Sequence, residues 1–282
     1  PVVKVFALLP GVTIDNTGTP AAGNVAAGAA NVVLFGFRLT PAGSIDFTAL
    51  SLDTAGTATG SDLSNFRVVL DADNSGTYNG GDSVVSSTNA LADPIGFTMY
   101  GQTGFSAARR YLVIADVAAS PTAGHAITCN IAAASDVTTT GNETGSAAGN
   151  AQTIITAPTL TSPTATGIGQ TAATLGATIS ATGGVAITQR GTVYGTSASP
   201  TGNLLADGGT AAGAFSHERS SLTLGTKYYY RGYASNSVGI AYSPDGSFHT
   251  EPDQAANVTF ANVTATGMRI LWTTNAADNN DG

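Results

Sequence analysis

Nearly every apolar segment of this chain is short, rich in Val, Thr, Ile and Tyr, and stopped at both ends by Gly, Pro, Asn or Asp. β-Branched and aromatic side chains fit a pleated surface and lose rotamer freedom in a helix, whereas Gly, Asn and Pro supply turns. No stretch keeps apolar residues at helical spacing over the length a helix needs. The Ala-rich residues 21–30 are interrupted by Gly and read as a linker or irregular strand. An all-β chain is expected. Its 282 residues leave room for two sandwich domains and part of a third, at ~100 residues each.

Charged residues make up only 10% of the chain, against ~25% in an average soluble protein. The surface must therefore be coated mainly by hydroxyls, amides and backbone. The formal net charge is −8, and apart from Arg109-Arg110 the basic residues are scattered. With no basic stripe to neutralise phosphates, nucleic-acid binding is not expected. No apolar run approaches the ~20 residues of a spanning helix, so no membrane insertion is expected either. Cys129 is the single cysteine and permits no intrachain disulfide. A secreted animal domain of this kind would be expected to carry one, so the expected source is a bacterial or archaeal exported protein. Cys129 lies in the apolar run 126–131 and reads as a buried structural thiol. The sequence starts at Pro1 with no visible signal peptide, so an upstream segment is expected to have been removed or left out.

Residues 1–156 read as a first sandwich. Its strands are expected at Val2–Leu9, Val32–Thr40, Asp46–Asp53, Asn65–Asp71, Asp82–Thr88, Ile95–Tyr100, Arg110–Val117, Ala126–Ala133 and Gln152–Thr156. Val2–Leu9 is apolar on both faces and must be covered by its own domain or a neighbour. Residues 137–150 read as a polar loop, and Ala157-Pro158 as a domain junction.

The stretch Ser221-Leu222-Thr223-Leu224-Gly225-Thr226-Lys227-Tyr228-Tyr229-Tyr230-Arg231-Gly232-Tyr233-Ala234-Ser235-Asn236-Ser237-Val238-Gly239 resembles the core motif of fibronectin type III domains. The resemblance covers about 157–251, with Gly246-Ser247-Phe248-His249-Thr250 similar to the last strand. Residues 174–195 resemble a bacterial subgroup, with Leu175 near the position of the usual core Trp. The resemblance implies tandem immunoglobulin-like or fibronectin type III-like β-sandwiches. It also implies that Tyr228 is a corner tyrosine whose hydroxyl ties back to nearby backbone. The odd spacing of Tyr230 and Tyr233 puts them on opposite faces, so at most one is expected fully in the core. From about 252, Ala256–Phe260 and Thr266–Thr273 are similar to the first two strands of another such domain, with Trp272 at the core Trp position. Two strands cannot close a sandwich. Either the chain continues beyond 282, or residues 252–282 complete a sheet elsewhere.

One constellation carries specific chemistry. Residues 71–82, Asp-Ala-Asp-Asn-Ser-Gly-Thr-Tyr-Asn-Gly-Gly-Asp, resemble the twelve-residue calcium loop of EF-hand and dockerin-like sites. Asp71, Asp73 and Ser75 fall at positions 1, 3 and 5, with Gly76 at the sharp turn. Thr77 would offer its carbonyl at position 7, Asn79 its amide at 9, and Asp82 closes the loop at 12. Hard Ca²⁺ takes six to eight oxygens, and alternate side chains on a tight turn can converge to supply them. Ser75 is a weak ligand and Asp82 is shorter than the usual Glu, so affinity is expected on the order of 10⁻⁴ to 10⁻³ M. Strand-like flanks predict a calcium-clamped β-hairpin, with a structural role for the ion. The competing reading is an Asx-turn hairpin whose carboxylates cap backbone amides.

Catalytic signatures do not assemble. Gly167-Ile168-Gly169-Gln170-Thr171-Ala172 matches a dinucleotide fingerprint but lies among strands. His125, His217 and His249 form no metal-binding spacing, there is no nucleophile elbow, and the three glutamates sit near turns. Asn142, Asn257 and Asn262 begin glycosylation sequons. The expectation is a non-enzymatic, secreted or surface-displayed structural subunit that self-associates into a filament, sheath or surface layer. The alternatives are a spacer or adhesin region of a longer surface protein, or a glycan-binding accessory region of a secreted hydrolase. Glycans and other surface proteins are the further partners considered.

Overall fold

The computed structural model of the chain describes residues 8–253 and 256–273. It divides into two compact units, Pro1–Thr156 and Ala157–Gly282. The expected strand Val2–Leu9 lies largely outside the described residues; its last two, Leu8 and Leu9, belong to no strand. Among the described residues no helix is long and apolar enough to cross a membrane.

The described residues of the first unit form twelve strands: β1 Gly11–Asp15, β2 Gly23–Ala26, β3 Val32–Pro41, β4 Phe47–Gly56, β5 Leu63–Asp71, β6 Ser83–Thr88, β7 Ile95–Thr98, β8 Arg109–Val117, β9 Ala126–Asn130, β10 Val137–Thr139, β11 Asn142–Gly145 and β12 Gln152–Ile155. One sheet runs β11-β1-β3-β8-β5-β6; the other runs β10-β4-β9-β12-β2, with β7 also on β4. Residues from both sheets fill one core. Phe37 stacks on Tyr111 at 5.4 Å, and Phe47 of the opposite sheet meets Tyr111 edge-on at 5.2 Å. Cys129 is buried in the same core, which pushes its thiol pKa up to about 12.

Two segments differ from the expectation. Residues 137–150 contain β10, which pairs with β4, and β11, which runs parallel to β1. Residues 21–30 contain β2, parallel to β12. These edge strands bury one apolar side chain or none, Val25 in β2 and Val137 in β10. They are held largely by backbone pairing, and so few buried side chains leave no alternating pattern in the sequence.

The outer face of the six-stranded sheet is also covered. Val69, Leu112 and Ile114 form a small second cluster, with Val33 and Tyr78 packed over it. A Cβ at Gly36 would collide with the backbone of Gly18 and Thr19, so the turn after β1 crosses β3 closely enough to require glycine.

The second unit contains β13 Thr159–Thr166, β14 Ala173–Ala181, β15 Gln189–Gly195, β16 Leu205–Ala206, β17 Gly213–Arg219, β18 Lys227–Ser235, β19 Ile240–Tyr242 and β20 Gly246–His249. Sheet β13-β14-β17 faces sheet β16-β15-β18-β19, with β20 also on β18. This is a β-sandwich. Tyr228 is buried and its hydroxyl accepts the Thr223 N–H at 3.0 Å, which is a tyrosine corner. Leu175 is fully buried. A Cβ at Gly232 would strike Ala177 of the facing sheet, so glycine sets the spacing between layers there.

Tyr230 belongs to a core cluster of this unit and Tyr233 does not, as alternation requires. They do lie on opposite faces of β18, yet both are buried, at 4% and 0% exposure. Tyr233 lies beside Gly191 of β15 and Tyr242 of β19. Burial raises its phenol pKa, and Asp207 and Tyr242 add to that while Arg219 opposes it. The outward face of this sheet is thus locally covered, which a two-layer picture does not anticipate.

Two further strands, β21 Ala256–Thr264 and β22 Gly267–Thr273, form a two-stranded antiparallel sheet.

Candidate metal centre

Strands β5 and β6 pair antiparallel, with Leu70 opposite Ser83, and residues 71–82 form the connection. Asn74 and Gly76 take left-handed backbone conformations, φ 56° and 74°, and so fold the loop back on itself. Tyr78 of the loop packs against the cluster of Val69, Leu112 and Ile114, which fixes the loop against the sheet.

One carboxylate oxygen each from Asp71, Asp73 and Asp82 lie within 4.8 Å of one another. Asp71 is buried; it accepts the Ser75 N–H at 3.0 Å and the Gly76 N–H at 2.9 Å. Asp73 accepts the Ser75 N–H at 3.0 Å, and Asp82 accepts the Ala72 and Asn79 N–H groups at 3.0 and 2.8 Å. The Ser75 hydroxyl and amide, with Asn79, hold Asp73's carboxyl below the usual carboxylate range. The carboxylates therefore do cap backbone amides, as the Asx-turn reading expects.

The remaining oxygens favour a cation as well. The Asn79 side-chain N–H₂ donates to Asp73 Oδ2 at 3.0 Å, Ser75 Oγ at 3.3 Å and the Thr77 carbonyl at 3.4 Å. Those three oxygens are the expected ligands at positions 3, 5 and 7, and they converge on the positive end of an amide dipole. A cation at that point would replace the amide, and Asn79 would have to turn its oxygen inward. Gly81 N–H, which donates to Asn79 Oδ1 at 2.9 Å, holds the present orientation. The donor set is all oxygen, which suits Ca²⁺. All six expected residues, Asp71, Asp73, Ser75, Thr77, Asn79 and Asp82, thus belong to one hydrogen-bonded cluster.

Arg110 was not anticipated at this site. Its Nη1 lies 3.4 Å from Asp71 Oδ2 and also donates to the Asn74 carbonyl. Its aliphatic stem fills the space over Gly18, where a Cβ would collide with it. Asp71 and Arg110 are register partners on β5 and β8, so the pairing was legible only once those strands were known to be neighbours. The guanidinium lowers the net negative charge facing a cation.

The other acidic residues are engaged elsewhere. Asp62 is fully buried and accepts from Thr59 N–H, Thr122 N–H and His125 Nδ1 at 2.8, 2.7 and 2.8 Å. Asp116 accepts from Asn31 N–H, Asn65 and Arg67. Neither joins the loop, and each serves its own network. His217 bonds Thr192 Oγ1 at 2.9 Å, and Arg219 also reaches the Thr192 carbonyl. Gly167–Ala172 forms the β13–β14 connection, closed by Gly169 N–H donating to the Ala172 carbonyl. Among the described aromatic side chains, Tyr100 and Phe260 are strongly exposed, while Tyr111, Tyr228, Tyr230 and Tyr233 are buried.

No protein-family model and no curated protein matches this sequence. Among solved structures, a run of domains from titin aligns over 86% of this chain and 67% of its own, at 11% identity and TM-score 0.35. The FN1–FN3 domains of chicken CNTN1 align over 95% of this chain and 77% of their own, at 12% identity and TM-score 0.27. Superpositions that loose assign no family; the sandwiches are established by the sheet order and cores of the chain itself.

Proposed function

We propose that this chain is a non-catalytic structural segment of an exported surface protein, self-associating into a filament, sheath or surface layer and stiffened by calcium at the β5–β6 loop. The observation that carries the reading is the convergence of the Asp73, Ser75 and Thr77 oxygens on one point, next to the Asp71 and Asp82 carboxylates. Elsewhere the polar side chains tie loops together: Asp62 joins the segment after β4 to the one after β8, and Asp116 joins β8 to Asn31 and to Asn65 of β5. Groups held in this way support shape rather than turnover. A calcium ion would stiffen the loop and, through Tyr78, the outer cluster on Leu112 and Ile114.

Calorimetric titration of calcium into the full chain tests this reading. One site with a dissociation constant on the order of 10⁻⁴ to 10⁻³ M is expected, lost when Asp73 is replaced by Ala. Absence of calcium-dependent heat, or heat unchanged by Asp73→Ala, contradicts it.

A further inference from the structure

The turn that ends the β5–β6 loop contains a reactive dipeptide. Asn79-Gly80 is the one Asn-Gly pair in the sequence. An asparagine side-chain amide is open to attack by the backbone nitrogen of the next residue, and glycine at that next position has no Cβ to block the approach.

Three features of the structure favour this attack at Asn79. The first is the path of its side chain. Gly81 N–H donates to Asn79 Oδ1 at 2.9 Å, which makes an Asx turn. The ring closed by this bond contains both Asn79 Cγ and the Gly80 nitrogen, so the electrophile is folded back along the nucleophile's own peptide. The same N–H polarises the Cγ carbonyl and stands where negative charge develops during attack. The second feature is the nucleophile. Asn79 N–H donates to Asp82 Oδ2 at 2.8 Å, and Asp82 N–H donates to the Asn79 carbonyl at 3.2 Å. Of the four amides from 79 to 82, only Gly80 N–H has no hydrogen-bond partner among the described residues. The third is access. Gly80 is exposed, and a Cβ built on it meets nothing within 4 Å, so water reaches the site and a leaving group departs freely.

We propose that Asn79 is a site of spontaneous deamidation, which converts the amide-held loop into one with a carboxylate at its ninth position. The Gly80 nitrogen bonds to Asn79 Cγ, the Cγ–Nδ2 bond breaks, and the amide group leaves as ammonia with the proton that Gly80 gave up. Water then opens the five-membered imide at either carbonyl and leaves an aspartate or an isoaspartate; nothing is oxidised or reduced. The Asn79 amide donates to Asp73 Oδ2, Ser75 Oγ and the Thr77 carbonyl. After conversion those oxygens lose their donor and a new negative charge faces Asp73. The loop satisfies itself before the reaction and calls for a cation after it, and the change runs one way. The consequence for calcium rests on the function proposed for this loop; the deamidation itself does not.

Peptide mass spectrometry tests it, on the full chain held folded in mildly alkaline buffer with chelator. Cleavage after Arg67 and Arg109 releases residues 68–109, in which Asn74 and Asn89 are internal controls. Asn79 is expected to convert roughly tenfold or more faster than either, and Gly80→Ala to slow it by a similar factor. Gly80 lies outside the left-handed region and has open space around it, so alanine fits there, and circular dichroism checks that the variant keeps the β spectrum. No conversion at residue 79, conversion shared evenly with Asn74 and Asn89, or a rate indifferent to Gly80→Ala overturns the proposal. So does a folded chain that converts far more slowly than the same chain in urea, because the Asx turn then shields the amide instead of presenting it. Calcium titration of the converted chain separates the two readings. Tighter binding after conversion supports both, whereas conversion with no calcium binding in either form leaves the modification standing and overturns the calcium site.

Discussion

Asp62 shows how a single buried carboxylate is made useful. Burial alone would push its pKa up, but the Thr122 N–H, then His125 and Thr59, outweigh that and hold the carboxyl well below its usual range. A folded-state pKa below the unfolded value contributes stability above the unfolded pKa, and that stability is lost as pH falls through the folded value. Asp62→Asn is therefore expected to lower stability at pH 7 by about 2 to 3 kcal/mol. In urea melts across pH, the difference from wild type should shrink below pH ~4. A gap independent of pH would show that the charge is not what matters. Asn79 poses the converse case. Its amide donates to three oxygens, so Asn79→Asp removes a donor and adds a carboxylate. The expected result is a less stable loop without calcium and at least severalfold tighter calcium binding by titration calorimetry. The Asp-Asp-Ser-Gly-Asn-Asp spacing was legible in the sequence. Arg110 and the downward-facing Tyr78 were not, because both reach the loop through contacts that exist only after β8 and β5 are neighbours.

At the scale of elements, legibility followed apolar content. β3, β8 and β18 announce themselves because buried side chains recur along them. β2, β10 and β11 do not, since each buries one apolar side chain at most and Thr, Asn and Gly there look like loop. Alternation predicted the faces of β18 correctly but not the burial of Tyr233, since periodicity says which way a side chain points and not what lies above it. The tyrosine corner, implied by family resemblance, is present as a hydrogen bond from Thr223 N–H. Tyr228→Phe leaves that amide without its acceptor and is expected to cost about 1 kcal/mol, read as a lower midpoint in chemical denaturation with an unchanged slope. An unchanged midpoint would mean that solvent satisfies the Thr223 amide.

At the scale of the whole chain, the two units have separate cores and only the first contains the candidate calcium loop. A ligand that binds only the native state of one unit raises the stability of that unit alone, by about 2.7 kcal/mol at a hundredfold excess over the dissociation constant. Sequence established the β class and the oxygen-rich loop. It gave no warning that the loop also roofs a second apolar cluster, which is how binding at one tip would stiffen a whole sheet. Differential scanning calorimetry of the full chain, with calcium and with chelator, tests this most directly. Two transitions are expected, one moved upward by calcium and one indifferent to it, with the shift abolished by Asp73→Ala. Calcium-independent melting of both transitions would contradict the account.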